Sequence, residues 1–344
     1  MFIYRIVSVH SKSEIMSLLN KLFISLLCSS TLVACAYSPI KKDRQSAVAH
    51  SPKVSEAAST LDKSFYQFKN VSNEKPVIAL VLGSGGARGY AHIGVIEALE
   101  QHGIQPDFIV GTSAGSIVGS IYASGKSAEQ LRQIALDMKV GDVRDFKIGM
   151  KGFFDGQKVE DYVNKQVSQM SLEKMKIPMY VVATELQNGQ RAVFNYGNTG
   201  QAVRASVSIP SMFIPTVIQG KEYVDGGLVS PVPVDIAKEL GADIVIAVDI
   251  LAQPENTETT NVWGLFNQNI NIMQNKLAAD ELKNADIVIQ PDLREKAHIF
   301  DVKGRQDTMQ AGVDAANLRM HDLDVVIESK TKSKSESAQY HALN

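Results

Sequence analysis

Two hydrophobic periods alternate along the middle of this 344-residue chain. Val77–Leu82 ("VIALVL") is apolar at every position, the pattern of a strand covered on both faces of a parallel sheet. A glycine-rich loop follows it, then "YAHIGVIEALEQHG" at helical spacing, with Gly103 placed to cap the C-terminus. "DFIV" (107–110) predicts the next strand and "AGSIVGSIYA" (114–123) a helix of small residues. Ser127 is an N-cap for "AEQLRQIALDM". "PMYVVATEL", a turn at Asn188–Gly189 and "RAVFNY" predict a hairpin. "PVDIAKELGADIVIAVDI" reads helix, glycine, strand, and "ADELKNADIVIQPDL" repeats that grammar. Such alternation predicts an α/β fold, a mostly parallel sheet with helices on both faces. "VWGLFNQNINIMQNKL" (262–277) carries Val262, Leu265, Phe266 and Ile270 at helical spacing, a stripe expected to be buried.

The ends break this pattern. "MSLLNKLFISLLCSSTLVAC" begins at Met16, has Lys21 in its polar head and is apolar from Leu22 to Leu27. That run is shorter than the roughly 20 residues a membrane-spanning helix needs, and it suits a secretory signal. Residues 1–35 are therefore read as a signal segment, with Met16 as the expected start. "LVAC" (32–35) resembles the bacterial lipoprotein cleavage box, in which the cysteine thiol is acylated and becomes the new N-terminus; here that is Cys35. Ala36 stands where an aspartate is tied to inner-membrane retention. The expectation is a cell-envelope protein, lipid-anchored to the membrane, on the outer membrane and facing the periplasm. Residues 36–75, rich in Ser, Lys, Ala and Gln, are expected to form a flexible tether, 76–329 the folded domain, and 330–344 a disordered tail.

Composition narrows the function. A hydrophobic content of 44% supports a sizeable core. With 35 basic and 37 acidic side chains, the net charge of −2 carries no nucleic-acid footprint. Cys28 leaves with the signal and Cys35 would be acylated, so no disulfide is expected within the mature chain. No cluster of His, Cys and carboxylates has metal-ligand spacing, and no cofactor is implied. Composition says nothing about oligomeric state.

Three stretches can carry chemistry. "GTSAG" (111–115) fits G-x-S-x-G, the sharp strand-to-helix turn that exposes a nucleophilic serine, here Ser113; a plain structural turn fits as well. "LGSGGARG" (82–89) also joins a buried strand to a helix. It fails the dinucleotide fingerprint, because Arg88 takes the place of the last glycine, and it has no G-K-[ST] for a phosphate loop. What remains is a structural turn or an oxyanion hole of backbone N–H groups. "YVDGG" (223–227) sets Asp225 before two glycines, as a turn former or as a catalytic carboxylate. Of the seven histidines, only His298 and His321 follow the serine in a position to complete a triad.

Together "GSGGARGYAHIGVIEAL", "GTSAGS", "VRASVSIP" and "YVDGGLVSPVPV" resemble the patatin-like phospholipase family, in its bacterial and neuropathy-target-esterase-like branch, over roughly residues 76–250. The resemblance implies a patatin-like fold with a nucleophile elbow. It implies Ser113 as nucleophile, Asp225 as its sole partner in a Ser-Asp dyad, and an oxyanion hole at Gly85 and Gly86 with Arg88 beside them. Ser84 departs from the glycine many members have there. The implied activity is hydrolysis of a lipid acyl ester in a phospholipid or lysophospholipid. Two alternatives stand beside it: a histidine-dependent hydrolase using His298 or His321, and a non-catalytic envelope lipoprotein that binds lipids or partners.

Overall fold

The computed structural model describes residues 57–60, 75–149, 151–256, 259–293 and 304–342. The signal segment, Cys35, most of the tether and His298 lie outside the described residues. In chain order the elements are β1 (Ser59–Thr60), β2 (Ile78–Leu82), α1 (Tyr90–Gln101), β3 (Phe108–Thr112), α2 (Ala114–Ala123), α3 (Ala128–Asp137) and α4 (Val140–Val143). A hairpin of β4 (Phe146–Gly149) and β5 (Gly152–Phe154) follows, then α5 (Gln157–Gln166), β6 (Met179–Glu185), β7 (Arg191–Tyr196) and α6 (Thr199–Ser206). The last third holds β8 (Thr216–Ile218), β9 (Lys221–Asp225), α7 (Val234–Leu240), β10 (Ile244–Val248), α8 (Val262–Glu281), β11 (Ile287–Ile289), α9 (Arg305–Asn317) and α10 (Met320–Ala342).

The predicted fold class is the one that forms. A nine-stranded sheet runs β1-β7-β6-β3-β2-β10-β11, with β9 and β8 branching from β6. The central pairs β6–β3, β3–β2, β2–β10 and β10–β11 are parallel, whereas β7 and β9 run antiparallel to β6. The apolar runs become the central strands because both faces are covered. Leu80, Leu82 and Ile109 face a core shared with α1, α2, α3 and α5; Ala79, Val81 and Val110 face another shared with α7 and the end of α8. Ser127 caps α3 as expected, its side chain accepting from the Gln130 amide at 3.2 Å. Gly103 follows α1 at φ 72°.

Three expectations need correction. Part of the stretch read as tether belongs to the sheet: β1 pairs antiparallel with β7, and the buried Ala58 donates its amide to Gln201 Oε1 at 2.9 Å. A short added strand covers the backbone groups of an edge that would otherwise stay unpaired. The stretch read as a tail continues α10 to Ala342, because "SKTKSKSESAQYHA" has no glycine or proline to stop a helix. The stripe on α8 is only partly covered. Val262 and Leu265 are exposed and Phe266 and Ile270 half-buried, whereas Gln274, Ala278 and Glu281 are buried. The polar side of α8 faces the domain because it has partners there: Gln268 donates to the Pro254 carbonyl, Asn275 to that of Ala252, and Glu281 accepts from Ser230 and the Val232 amide.

Candidate active site

The site forms where β2, β3 and β9 end, at one edge of the sheet. Strand β3 feeds Ser113 directly into α2. Ser113 has φ 53° and ψ −118°, a backbone conformation that an L-residue adopts only under constraint. The constraint is close packing. A Cβ on Gly111 would lie 2.7 Å from the Gly115 carbonyl oxygen, and one on Gly115 would lie 2.0 Å from that of Leu82. Both glycines of the motif let α2 approach the sheet, and that approach bends the turn. Two serines fasten it. Ser206 accepts from the Ser113 amide at 2.8 Å while donating to the Val182 carbonyl at 2.5 Å, and Ser116 Oγ donates to the Ser113 carbonyl at 2.6 Å.

Asp225 closes β9 and meets the serine. Ser113 Oγ donates to Asp225 Oδ2 at 2.6 Å, and Asp225 Oδ1 accepts from the Gly227 amide at 2.7 Å. The aspartate backbone is held as firmly: its amide donates to the Ser208 carbonyl at 2.9 Å, and its carbonyl accepts from Thr184 Oγ1 at 2.8 Å. Both side chains are buried. Burial pushes the Asp225 carboxyl up from 3.8 to about 6, against the downward pull of the bonds from Ser113 and Gly227. A carboxylate with that value is a better base near neutral pH than an exposed one.

The glycine loop follows β2. The Gly83 amide donates to the Val248 carbonyl at 3.0 Å and the Ser84 amide to that of Pro231 at 2.8 Å. After these two ties the chain leaves the sheet. Gly86 turns at φ 60° and lines the same cavity as Ser113. Gly85 lies behind it, packed so closely on Ile250 that a Cβ would come within 2.6 Å of that side chain. Arg88 does not line the cavity. Burial lowers its guanidinium to about 10, partly offset by Asp249, so it remains a cation at neutral pH. The structure thus brings Ser113, Asp225 and Gly86 together, whereas Gly85 and Arg88, expected beside Gly86 at the oxyanion hole, do not line the cavity.

None of the described histidines joins the pair. His92 is fully buried and its Nε2 donates to the Gly83 carbonyl at 2.9 Å; burial drops its imidazole to about 4, so it is neutral. His102 Nδ1 bonds the Ala98 carbonyl at 2.8 Å. His321 is exposed on the first turn of α10.

From Ser113 a cavity of about 200 Å³ runs between the helices. Its walls are apolar, among them Ile93, Ile117, Ile134, Val140, Val163 and Phe213. The apolar stretch "SMFIPTVI" (211–218) contributes Phe213 to the wall; in "GFFDG" (152–156), Phe153 is exposed and Phe154 packs against Phe213 at 5.5 Å. Sequence reasoning passed over the parts that hold the pair. Ser206 and Ser208 lie in "VRASVSIP", a motif that carried the resemblance without a role for either serine.

One outcome follows from the carboxyl. If Asp225 is the base, kcat/KM on a water-soluble ester is level above pH ~7 and falls about tenfold per pH unit below about 6, as the carboxylate takes up a proton. A pH–rate profile checks it, and a level profile down to pH 4.5 excludes Asp225 as the base.

Residues 80–238 match the model of the patatin-like phospholipase family. An uncharacterised NTE family protein of Mycobacterium tuberculosis is 36% identical over 180 residues, which are 52% of this chain and 50% of that one. Human patatin-like phospholipase domain-containing protein 6 is 32% identical over 219 residues, 60% of this chain and 16% of its own. The chain thus spans half the length of the mycobacterial relative and far less of the human one. Among solved structures, VipD of Legionella pneumophila aligns at a TM-score of 0.41 and 16% identity, over 73% of this chain and 67% of its own. ExoU of Pseudomonas aeruginosa, in complex with SpcU, aligns at 0.43 and 13%, over 84% and 61%.

Proposed function

We propose that this chain, through its patatin-like phospholipase domain, is a serine esterase that hydrolyses acyl esters of phospholipids or lysophospholipids with Ser113 and Asp225 as a dyad. The observation that carries the reading is the 2.6 Å bond from Ser113 Oγ to Asp225 Oδ2, made by a backbone-strained serine at the wall of an apolar cavity. Asp225 takes the serine proton as Oγ bonds to the ester carbonyl carbon. The negative charge that forms on the carbonyl oxygen is met by the amides of Gly86 and Ala114, with the positive end of α2 behind them; one such donor is worth about 2.7–4 kcal/mol. Asp225 then gives its proton to the departing alcohol. Water repeats the sequence on the acyl-serine, releasing the fatty acid and restoring the hydroxyl. The cavity supplies the place for the acyl chain.

A fluorophosphonate probe and a panel of esters of increasing acyl length test this. The expected result is a covalent label on Ser113, absent in Ser113→Ala, and a kcat/KM that rises about fourfold per added methylene, for ~0.8 kcal/mol of burial each, until the cavity is full. A protein that takes no label and turns over no ester leaves the non-catalytic alternative in its place.

We also propose that the mature chain is a lipoprotein of the cell envelope, held by acyl chains on Cys35 at the outer membrane. The support is "LVAC" after a short apolar run, with Ala36 following. Two or more acyl chains anchor stably where one binds marginally. Mass spectrometry of the mature N-terminus is expected to find diacylglycerol on Cys35, and an unmodified thiol there excludes the anchor.

A further inference from the structure

The hairpin β4–β5 is not absorbed by the catalytic reading. Phe146, 69% exposed, and Phe153, 43% exposed, are large apolar rings open to solvent. Across the hairpin the Phe146 ring meets Phe154 edge-on at 6.1 Å, and Phe154 meets Phe213 at 5.5 Å. Phe213 is a wall of the cavity that reaches Ser113. A track of three rings therefore leads from the surface to the cavity. Its surroundings are basic. Residues 139–158 hold five basic side chains against three acidic ones, in a chain whose net charge is −2. Lys147 and Lys151 stand 63% and 55% exposed. Their pairs with Asp155 and Glu222 are surface ion pairs of the kind that contribute little and exchange readily. The acidic partners Asp142 and Asp145 are turned to backbone amides at Lys139, Gly156 and Lys158. Val217, 58% exposed on β8, stands opposite Glu222, the partner of Lys151.

We propose that this hairpin is the surface by which the domain docks on an anionic lipid bilayer, with Phe146 and Phe153 entering the interface and Lys147 and Lys151 facing the head groups. Aromatic rings flanked by cations have the chemistry of that boundary, apolar on one side and negatively charged on the other. A lipid that reaches Ser113 must leave a bilayer, and the ring track joins the patch to the cavity. The choice of a bilayer as occupant rests on the lipid esterase reading.

The test measures partition on vesicles of phosphatidylcholine with and without phosphatidylglycerol. It uses the mature chain from Ala36 onward, made without the signal segment so that neither that apolar run nor an acyl anchor contributes, and carrying Ser113→Ala, so that no lipid is consumed. The expected result is binding that favours the anionic vesicles and falls about tenfold for each ring removed in Phe146→Ser/Phe153→Ser. Lys147→Gln/Lys151→Gln is expected to lose about fivefold per lysine on anionic vesicles and little on neutral ones. With Ser113 intact, the two phenylalanine changes leave turnover of a water-soluble ester unaltered, which shows that they fold. Partition unchanged in both variants overturns the proposal. So does loss seen instead in Leu265→Ser/Ile272→Ser on α8, or a dimer in solution that the phenylalanine changes dissociate while vesicle binding persists. Because binding is read in a protein without its serine, a failed esterase appears only in the ester panel and a failed docking surface only in the partition.

Discussion

Ser113→Ala and Asp225→Asn each lower ester turnover by a factor of the order of 10⁴ or more, and the double variant is little worse than either single one. Side chains that act on one proton form one unit, and losses within a unit do not add. Asparagine matches the shape of aspartate and can still accept from the Gly227 amide, but it cannot take the serine proton. His321→Ala and His298→Ala keep most activity, since no imidazole is needed. If a folded histidine variant were dead and Asp225→Asn active, the dyad would give way to a histidine triad. The same aspartate makes a second, opposite expectation. The folded chain holds the Asp225 proton with a value of about 6 against 3.8 for an unperturbed carboxyl, so this group favours folding below pH ~4 and loses that contribution as pH rises through 6. At pH 8 the buried carboxylate costs about 3 kcal/mol of stability, because each pH unit between those two values is worth ~1.4 kcal/mol. Asp225→Asn is therefore expected to melt higher than the parent at pH 8, with the gain gone at pH 4. A variant both inactive and more stable marks a residue kept for chemistry at a cost to the fold.

Gly115→Ala destabilises the domain by about 3 kcal/mol or more and takes the activity with it. Its Cβ would lie 2.0 Å from the Leu82 carbonyl oxygen, which is backbone of the central strand, so nothing flexible can move aside. Relief requires α2 to lift from the sheet. That opens the turn at Ser113 and pulls the serine from Asp225. Gly103→Ala is the control. It sits at φ 72° with no atom within 4 Å, so only backbone strain opposes it, at about 1–2 kcal/mol, and the site is untouched. Chemical denaturation and ester turnover separate the two. Equal losses in both proteins would mean that packing at Gly115 is looser than its backbone contacts imply.

What the sequence made legible was local. Ser113 and Asp225 each sit in a five-residue turn motif, and the strand that feeds Ser113 is an apolar run, so these could be read one segment at a time; the strand of Asp225, "KEYVD", has no such signal. The parts that hold the pair could not. Ser206 reaches the Ser113 amide across 93 residues and Thr184 reaches the Asp225 carbonyl across 41, and a serine or threonine bonded to distant backbone looks in sequence like any other. The cavity was hidden for a different reason. Ile117, Ile134 and Val163 occupy the same helical faces as core residues, and whether such faces meet or leave a gap is decided by packing between elements. The half-covered stripe on α8 shows the limit of periodicity. A helix turns toward the face with partners, and there the bonds of Glu281 to Ser230 and Val232 outweigh the burial of Val262 and Leu265.

The far edge of the sheet has its own consequence. Lys334 on α10 pairs with Asp243 at 2.6 Å and donates to the carbonyl of Lys75 at 3.3 Å, while Asp243 accepts from the Val77 amide at 2.7 Å. The last helix is thus clasped to the start of β2, at the opposite end of that strand from the glycine loop. Ending the chain before Lys334 would release Asp243 from its cation and loosen the first residues of β2, while the end of the strand that carries the catalytic loop keeps its own ties to Val248 and Pro231.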